Sequence, residues 1–281
     1  MKTPLDGAHY RQARGPTPSL PCSNADVSMP PMTRILLAIF LAAATFMVAP
    51  PAPAQPELPK VLAFFDTGGE IDHIFFARDA IQAFGADAKA GGYRFAATSD
   101  WDAMSDAGLK DVKVVLFLND QPHTPAQREA FRRYMENGGR WMGFHISGFP
   151  SASWPWFSDF LGVKNFGSSN WPALPARVNI EDGASPVTQG VPPTFVAPIM
   201  EWYSWSPSPR ANPDVHVLMS LDKSNFPLGI KNMMPEQDVP VVWTNRKYHM
   251  VYFNFGHGDQ TYTRPELPRM AGNGLRWLLG Q

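Results

Sequence analysis

The sequence predicts a doubly wound α/β domain: a mostly parallel sheet covered by helices on both faces, followed by an irregular, strand-rich second half. Three observations carry this. The runs 60–65 (KVLAFF) and 112–118 (VKVVLFL) are almost continuously apolar, as strands buried on both faces are. Between such runs lie segments with helical apolar spacing, closed by the glycine pairs Gly91-Gly92 and Gly138-Gly139. A strand, a helix and a further strand in succession require parallel pairing through right-handed crossovers.

Taken in order, the first strand ends at Asp66-Thr67-Gly68-Gly69, and Ile74, Ala77, Ile81 and Phe84 then mark one face of a helix. Residues 93–98 read as a second strand, 100–109 as a short irregular or helical link, and 112–118 as a third strand running into Asn119-Asp120. The next helix has a complete start signal, with Thr124 as N-cap, Pro125 at its first position and Gln127 completing a capping box. Its apolar face is Ala130, Phe131, Tyr134 and Met135. The chain then enters the stretch on which the domain centres, residues 138–149 (GGRWMGFHISGF), a buried strand that runs into a tight small-residue bend at His145. Trp154-Pro155-Trp156-Phe157 leads a short helix through Leu161. Beyond residue 165, prolines punctuate expected strands at 176–180, 195–199, 215–220, 239–244 and 250–255, which extend the same sheet because none buries a core of its own. A final helix over 266–279 closes the domain.

Composition bounds the function. Across 281 residues, 24 basic and 25 acidic side chains nearly cancel, so neither a nucleic-acid footprint nor an acidic tail is present. Residues 32–54 carry the pattern of a secretory signal: Met32-Thr33-Arg34, an apolar run over 35–48, and a small-residue cleavage site after Ala54. Residues 1–31 read as an unstructured upstream extension, with translation expected to start at Met32 or Met29; 55–59 are a linker, and 60–281 a single domain. The expected address is periplasmic or secreted, with no stable membrane anchor after cleavage. The one cysteine, Cys22, falls in the removed segment, which excludes disulfides, thiolate metal sites and a cysteine nucleophile from the mature chain.

The argument for a site is positional. Asp66, Asn119-Asp120, His145 and His257 each follow the carboxyl end of an expected strand, and in a doubly wound sheet those ends form one rim. His145 at its bend and His257 between Gly256 and Gly258 are suited to proton transfer near neutral pH or to metal ligation. Glu201 stands among aromatics in Glu201-Trp202-Tyr203-Ser204-Trp205, whose faces suit stacking on a sugar ring. His73 lies near the first strand's turn; His123 and His249 read as a helix-flanking and a hairpin histidine. No His-Glu-x-x-His spacing, phosphate loop, dinucleotide fingerprint or Gly-x-Ser-x-Gly elbow is present, so a metal centre requires ligands assembled from distant segments.

Residues 138–147, 154–157 and 201–203, the strand 239–243, the segment ending Phe255-Gly256-His257, and 274–277 together resemble, in order, the ThuA-like (trehalose utilisation) family. The resemblance implies a flavodoxin-like, class I glutamine amidotransferase-like three-layer sandwich and a role in carbohydrate metabolism. In the amidotransferases a cysteine occupies the elbow where His145 stands, so thiol amidotransferase chemistry is excluded. The chain departs from the family pattern at 166–170 (FGSSN), where members often carry a histidine, and at Lys247-Tyr248-His249, where they have a glycine-rich turn.

The expected ligand is a small neutral carbohydrate or keto-sugar. His145 and His257 form the acid/base pair and Glu201 their electrostatic partner or a second acid/base, for hydrolysis, elimination or isomerisation. Trp154, Trp202 and Tyr203 form a stacking wall, and Asp66, His73, Asn119 and Asp259 complete substrate binding. No metal ligand or cofactor is assigned. A non-catalytic sugar-binding protein and a metal-dependent hydrolase are the alternatives.

Overall fold

Strand β1 (Lys60–Phe64) shows why the apolar runs are strands rather than helices. Its side chains alternate between two separate cores, with Val61 and Ala63 on one face and Leu62 and Phe64 on the other. The computed structural model describes residues 57–228 and 238–281. The expected extension 1–31, the signal segment 32–54 and the first linker residues lie outside the described residues.

Helix α1 (Ile71–Lys89) follows β1 and buries Phe76, Ala77, Ala80 and Phe84. Next come β2 (Arg94–Thr98), the single-turn α2 (Asp106–Leu109), and β3 (Val112–Phe117). Helix α3 (Pro125–Glu136) starts at the expected capping box, in which the Thr124 hydroxyl accepts from Gln127 N at 3.2 Å and Gln127 Oε1 accepts from Thr124 N at 3.0 Å. Strand β4 (Trp141–Phe144) and helix α4 (Pro155–Leu161) complete the first half.

The second half contains β5 (Asn165–Ser169), β6 (Leu174–Ile180), β7 (Thr194–Met200), β8 (Tyr203–Ser206), β9 (Val215–Leu221), β10 (Pro240–Asn245), β11 (Met250–Phe253) and helix α5 (Glu266–Leu279). One nine-stranded sheet has the order β2-β1-β3-β4-β11-β10-β9-β6-β7. Its first five strands are all parallel, in the flavodoxin-like order, whereas β10, β9, β6 and β7 continue it antiparallel. The expected α/β sandwich with a strand-rich extension is therefore the fold. Pairing β11 into the parallel set is the decisive long-range step, because it lays Tyr252 beside Gly143 and Phe253 beside Phe144 across more than a hundred residues.

Helices α1 and α5 pack with Met142, Phe144, Val251 and Phe253 on one face of the sheet. On the other, α3 and α4 enclose Phe117, Trp141, Tyr252 and Trp243. Each fully buried aromatic of this layer contributes about 1.5–3 kcal/mol of transfer free energy. Two strands escaped the sequence reading: β5 and β8 form a small antiparallel sheet of their own. The sequence NFGSS of β5 is polar and interrupted by Gly167, so it has no apolar alternation to reveal it.

Candidate active site

His145 follows β4 directly and is the only non-glycine among the described residues with positive φ, at 43°. An L-residue in that region costs about 1–2 kcal/mol, and such strain persists only where the surroundings fix it. Here Tyr252 Oη donates to the His145 carbonyl at 2.7 Å, Ser147 Oγ accepts from Phe144 N at 2.8 Å, and the His145 Nδ1–H donates to the Asn254 carbonyl at 2.8 Å. The ring is fully buried and stacks on Tyr203, with centroids 4.0 Å apart and planes 24° apart. With Nδ1 committed, Nε2 is aimed at Glu201 Oε2, 3.4 Å away, and has no hydrogen-bond partner.

The remaining members arrive from three other segments. His73 comes from the first turn of α1, and His257 from the loop after β11. Gly256 allows the approach of that loop, since a Cβ there, at φ +138°, would lie 3.1 Å from His145 Cβ and 3.2 Å from Phe144 Cβ. The three imidazoles form a nearly equilateral triangle, with centroid separations of 5.1, 5.2 and 5.3 Å. Glu201 Oε2 lies 3.4 Å from His145 Nε2 and 3.5 Å from His257 Nε2. One donor atom from each of His73, His145, Glu201 and His257 lies within 4.8 Å of all the others.

Glu201 is held by two buried asparagines that the sequence reading did not single out. Asn170 accepts from Trp202 N at 2.5 Å and donates to the Met200 carbonyl at 3.1 Å, gripping the backbone on both sides of Glu201. Asn254 accepts from Tyr203 N at 3.0 Å and donates to the Tyr203 carbonyl at 2.7 Å. On the solvent side, the Glu70 oxygens lie 3.2 Å from His257 Nε2 and 3.4 Å from His73 Nε2. Side-chain exposures of 12% for His73 and Glu201 and 43% for Glu70 mark the opening.

Burial governs the protonation of the cluster. Desolvation, reinforced by the neighbouring imidazoles, lowers the His73 pKa to about 3. His145 is also lowered, chiefly by burial, against the opposing pull of Glu201. For Glu201, burial pushes the carboxyl up, but His145, Ser169 and His257 more than offset it and leave the pKa below the ordinary value. The centre thus holds the His73 and His145 imidazoles neutral beside an ionised carboxylate.

The family described as trehalose utilisation (ThuA) matches residues 60–278. The chain belongs to the ThuA family. A thua-like protein from Bacteroides uniformis is 39% identical, covering 82% of this chain and 95% of that one, with a TM-score of 0.76. A thua-like protein from Parabacteroides merdae (14% identity, TM-score 0.57, covering 79% and 90%) shares the fold. So does part of a cold-adapted β-galactosidase from Rahnella, at 14% identity and a TM-score of 0.51, covering 80% of this chain and 32% of that one. No functionally curated protein matches.

Within this ThuA domain, His145, His257, Glu201 and His73 come together as one centre. Tyr203 is present as the surface on which His145 rests. The other expected binding residues lie elsewhere. Asn119 spends both ends of its amide on the Asp66 backbone, at 2.8 and 2.9 Å, and Asp66 Oδ1 accepts from Thr67 N and Gly68 N, so this pair ties β1 to β3. Trp154 is a core residue of the α3/α4 layer, stacked on Phe157 at 4.3 Å. Trp202 is fully buried in the opposite layer. Neither forms a stacking wall, because apolar burial claims both indoles. Asp259 is exposed and accepts from Gln260 Nε2. The exposed aromatic beside the centre is instead Trp171, 56% accessible, whose ring meets His257 edge-on at 5.5 Å. The segment 166–170, where the family resemblance implies a histidine, supplies Ser169 next to Glu201 and the Asn170 grip. A separate open cleft of about 560 Å³ lies at the amino-terminal end of β11, lined by His216, Asn245, His249 and Trp277, without such a convergence.

Proposed function

We propose that this ThuA-family chain acts on a neutral sugar or keto-sugar above His145, His257 and Glu201. The observation that supports this best is the convergence of these groups with His73 at the carboxyl rim of the parallel strands, behind the strained His145 backbone. Hydrolysis, elimination and isomerisation of sugars all move protons at oxygen or carbon, and a cluster of imidazoles with a carboxylate serves each. The open indole of Trp171 supplies the apolar face on which a pyranose ring stacks. Export through residues 32–54 belongs to the same proposal; a mature amino terminus at Gln55 supports it, and one far from Gln55 counts against it.

Incubating the protein with a panel of neutral sugars and keto-sugars, and reading new masses, tests the reading. Turnover of a panel member that is lost in His257→Gln supports it. Saturable binding without product, unchanged over long incubation, replaces it with the non-catalytic sugar-binding alternative. Neither binding nor turnover across the panel removes the carbohydrate reading.

A further inference from the structure

The His145 ring poses a problem that proton transfer alone does not answer. Its Nδ1–H is fixed by the Asn254 carbonyl, so the neutral ring turns the bare lone pair of Nε2 toward a carboxylate oxygen 3.4 Å away. His73 Nε2 is likewise buried without a hydrogen-bond partner, and it faces the same space. Lone pairs that converge on a carboxylate repel one another unless a cation stands between them.

We propose that His73, His145, His257 and Glu201 hold one divalent transition-metal ion of the zinc class. Tetrahedral bonds of about 2.0–2.2 Å place ligand atoms roughly 3.3–3.6 Å apart. The separations of 3.4 and 3.5 Å from Glu201 to His145 and His257 already match. The other donor pairs, all within 4.8 Å, close with small rotations of the side chains. The hydrogen bond from His145 to a backbone carbonyl is the outer-shell support that orients a ligating imidazole. Nitrogen-rich donors select zinc and its first-row neighbours over magnesium and calcium, which take oxygen ligands. Glu70 stands on the solvent side, where a water or sugar oxygen would add a fifth ligand.

The inference goes beyond the carbohydrate reading and stands on donor geometry alone. A bound ion would supply Lewis-acid polarisation of a sugar oxygen, with the Glu70 carboxylate beside it to take up a proton.

The test uses the full chain, stripped with a chelator and titrated with Zn²⁺ against a chromogenic competitor, with thermal melting in parallel. About one equivalent should bind tightly and raise Tm, whereas Mg²⁺ and Ca²⁺ leave Tm unmoved. Co²⁺ in place of Zn²⁺ should give the visible absorption of a four-coordinate site. His73→Ala and His257→Ala, the two imidazoles outside the strained bend, should each weaken Zn²⁺ binding by about tenfold or more, with His249→Ala unchanged. Absence of a tight equivalent in the native chain overturns the inference, as does undiminished binding in both His73→Ala and His257→Ala. Sugar turnover by a chain that takes up no tight equivalent overturns the ion while leaving the carbohydrate reading intact; a bound ion with no sugar chemistry does the reverse.

Discussion

Tyr252 and His145, 107 residues apart in the chain, are joined by a buried 2.7 Å hydrogen bond from the phenol to the histidine carbonyl. This bond fastens the strained bend to the neighbouring parallel strand. Tyr252→Phe removes that bond, and the expected loss is about 0.5–1.5 kcal/mol of stability by denaturant titration. Any activity of the site should fall further than the stability does, because the imidazole then loses its fixed direction. Unaltered stability and activity together would show that the bond does not hold the bend.

Gly256 lets the loop carrying His257 approach His145. Gly256→Ala places a methyl group a few tenths of an ångström too close to two Cβ atoms, at 3.1 and 3.2 Å, in a backbone region L-residues rarely adopt. Gly258→Ala also has positive φ but meets nothing nearer than Asp72 Oδ1 at 4.0 Å. The first substitution is expected to cost at least about 1 kcal/mol more than the second. Equal Tm values for the two variants would refute the crowding argument.

Asn170 grips the backbone around Glu201 without facing the reacting groups. Asn170→Ala should reduce kcat by a larger factor than it raises KM, while Asn170→Asp, which keeps the acceptor for Trp202 N, should recover part of the loss. A change confined to KM would place Asn170 against the substrate instead.

His249 offers a pH test away from the site. Burial first, then Arg140 and Lys113, lower its pKa below the ordinary 6.5. The unfolded chain therefore takes up a proton that the folded chain resists, and this group subtracts stability as pH falls below 6.5 toward the folded value. Between about pH 7 and pH 5, Tm of His249→Gln should fall less steeply than that of the native chain. Parallel curves would show that His249 is not responsible for any of the acid loss.

Thr124→Ala should remove about 1 kcal/mol by opening the capping box of α3, with no effect on metal or sugar binding, since the bonds it breaks lie within residues 124–127. A matching loss of function would show that the cap and the site are coupled.

The sequence by itself determined the order of the strands of the large sheet and of its covering helices, the capped start of α3, the bend at His145 and the rim on which His145 and His257 lie. Each of these is written in local terms, as an apolar period, a cap or a glycine, and a local signal survives without its neighbours. Tertiary structure alone decided which polar groups share one space. His73 joined His145 because α1 starts directly over the bend, and Asn170 and Asn254 became supports through partners 32 and 51 residues away. It also decided which aromatics stay dry: Trp154 and Trp202 are claimed by the two cores, while Trp171, unremarkable in sequence, is left open beside His257. Burial and convergence depend on which segments the sheet brings side by side, and no spacing within one segment encodes that.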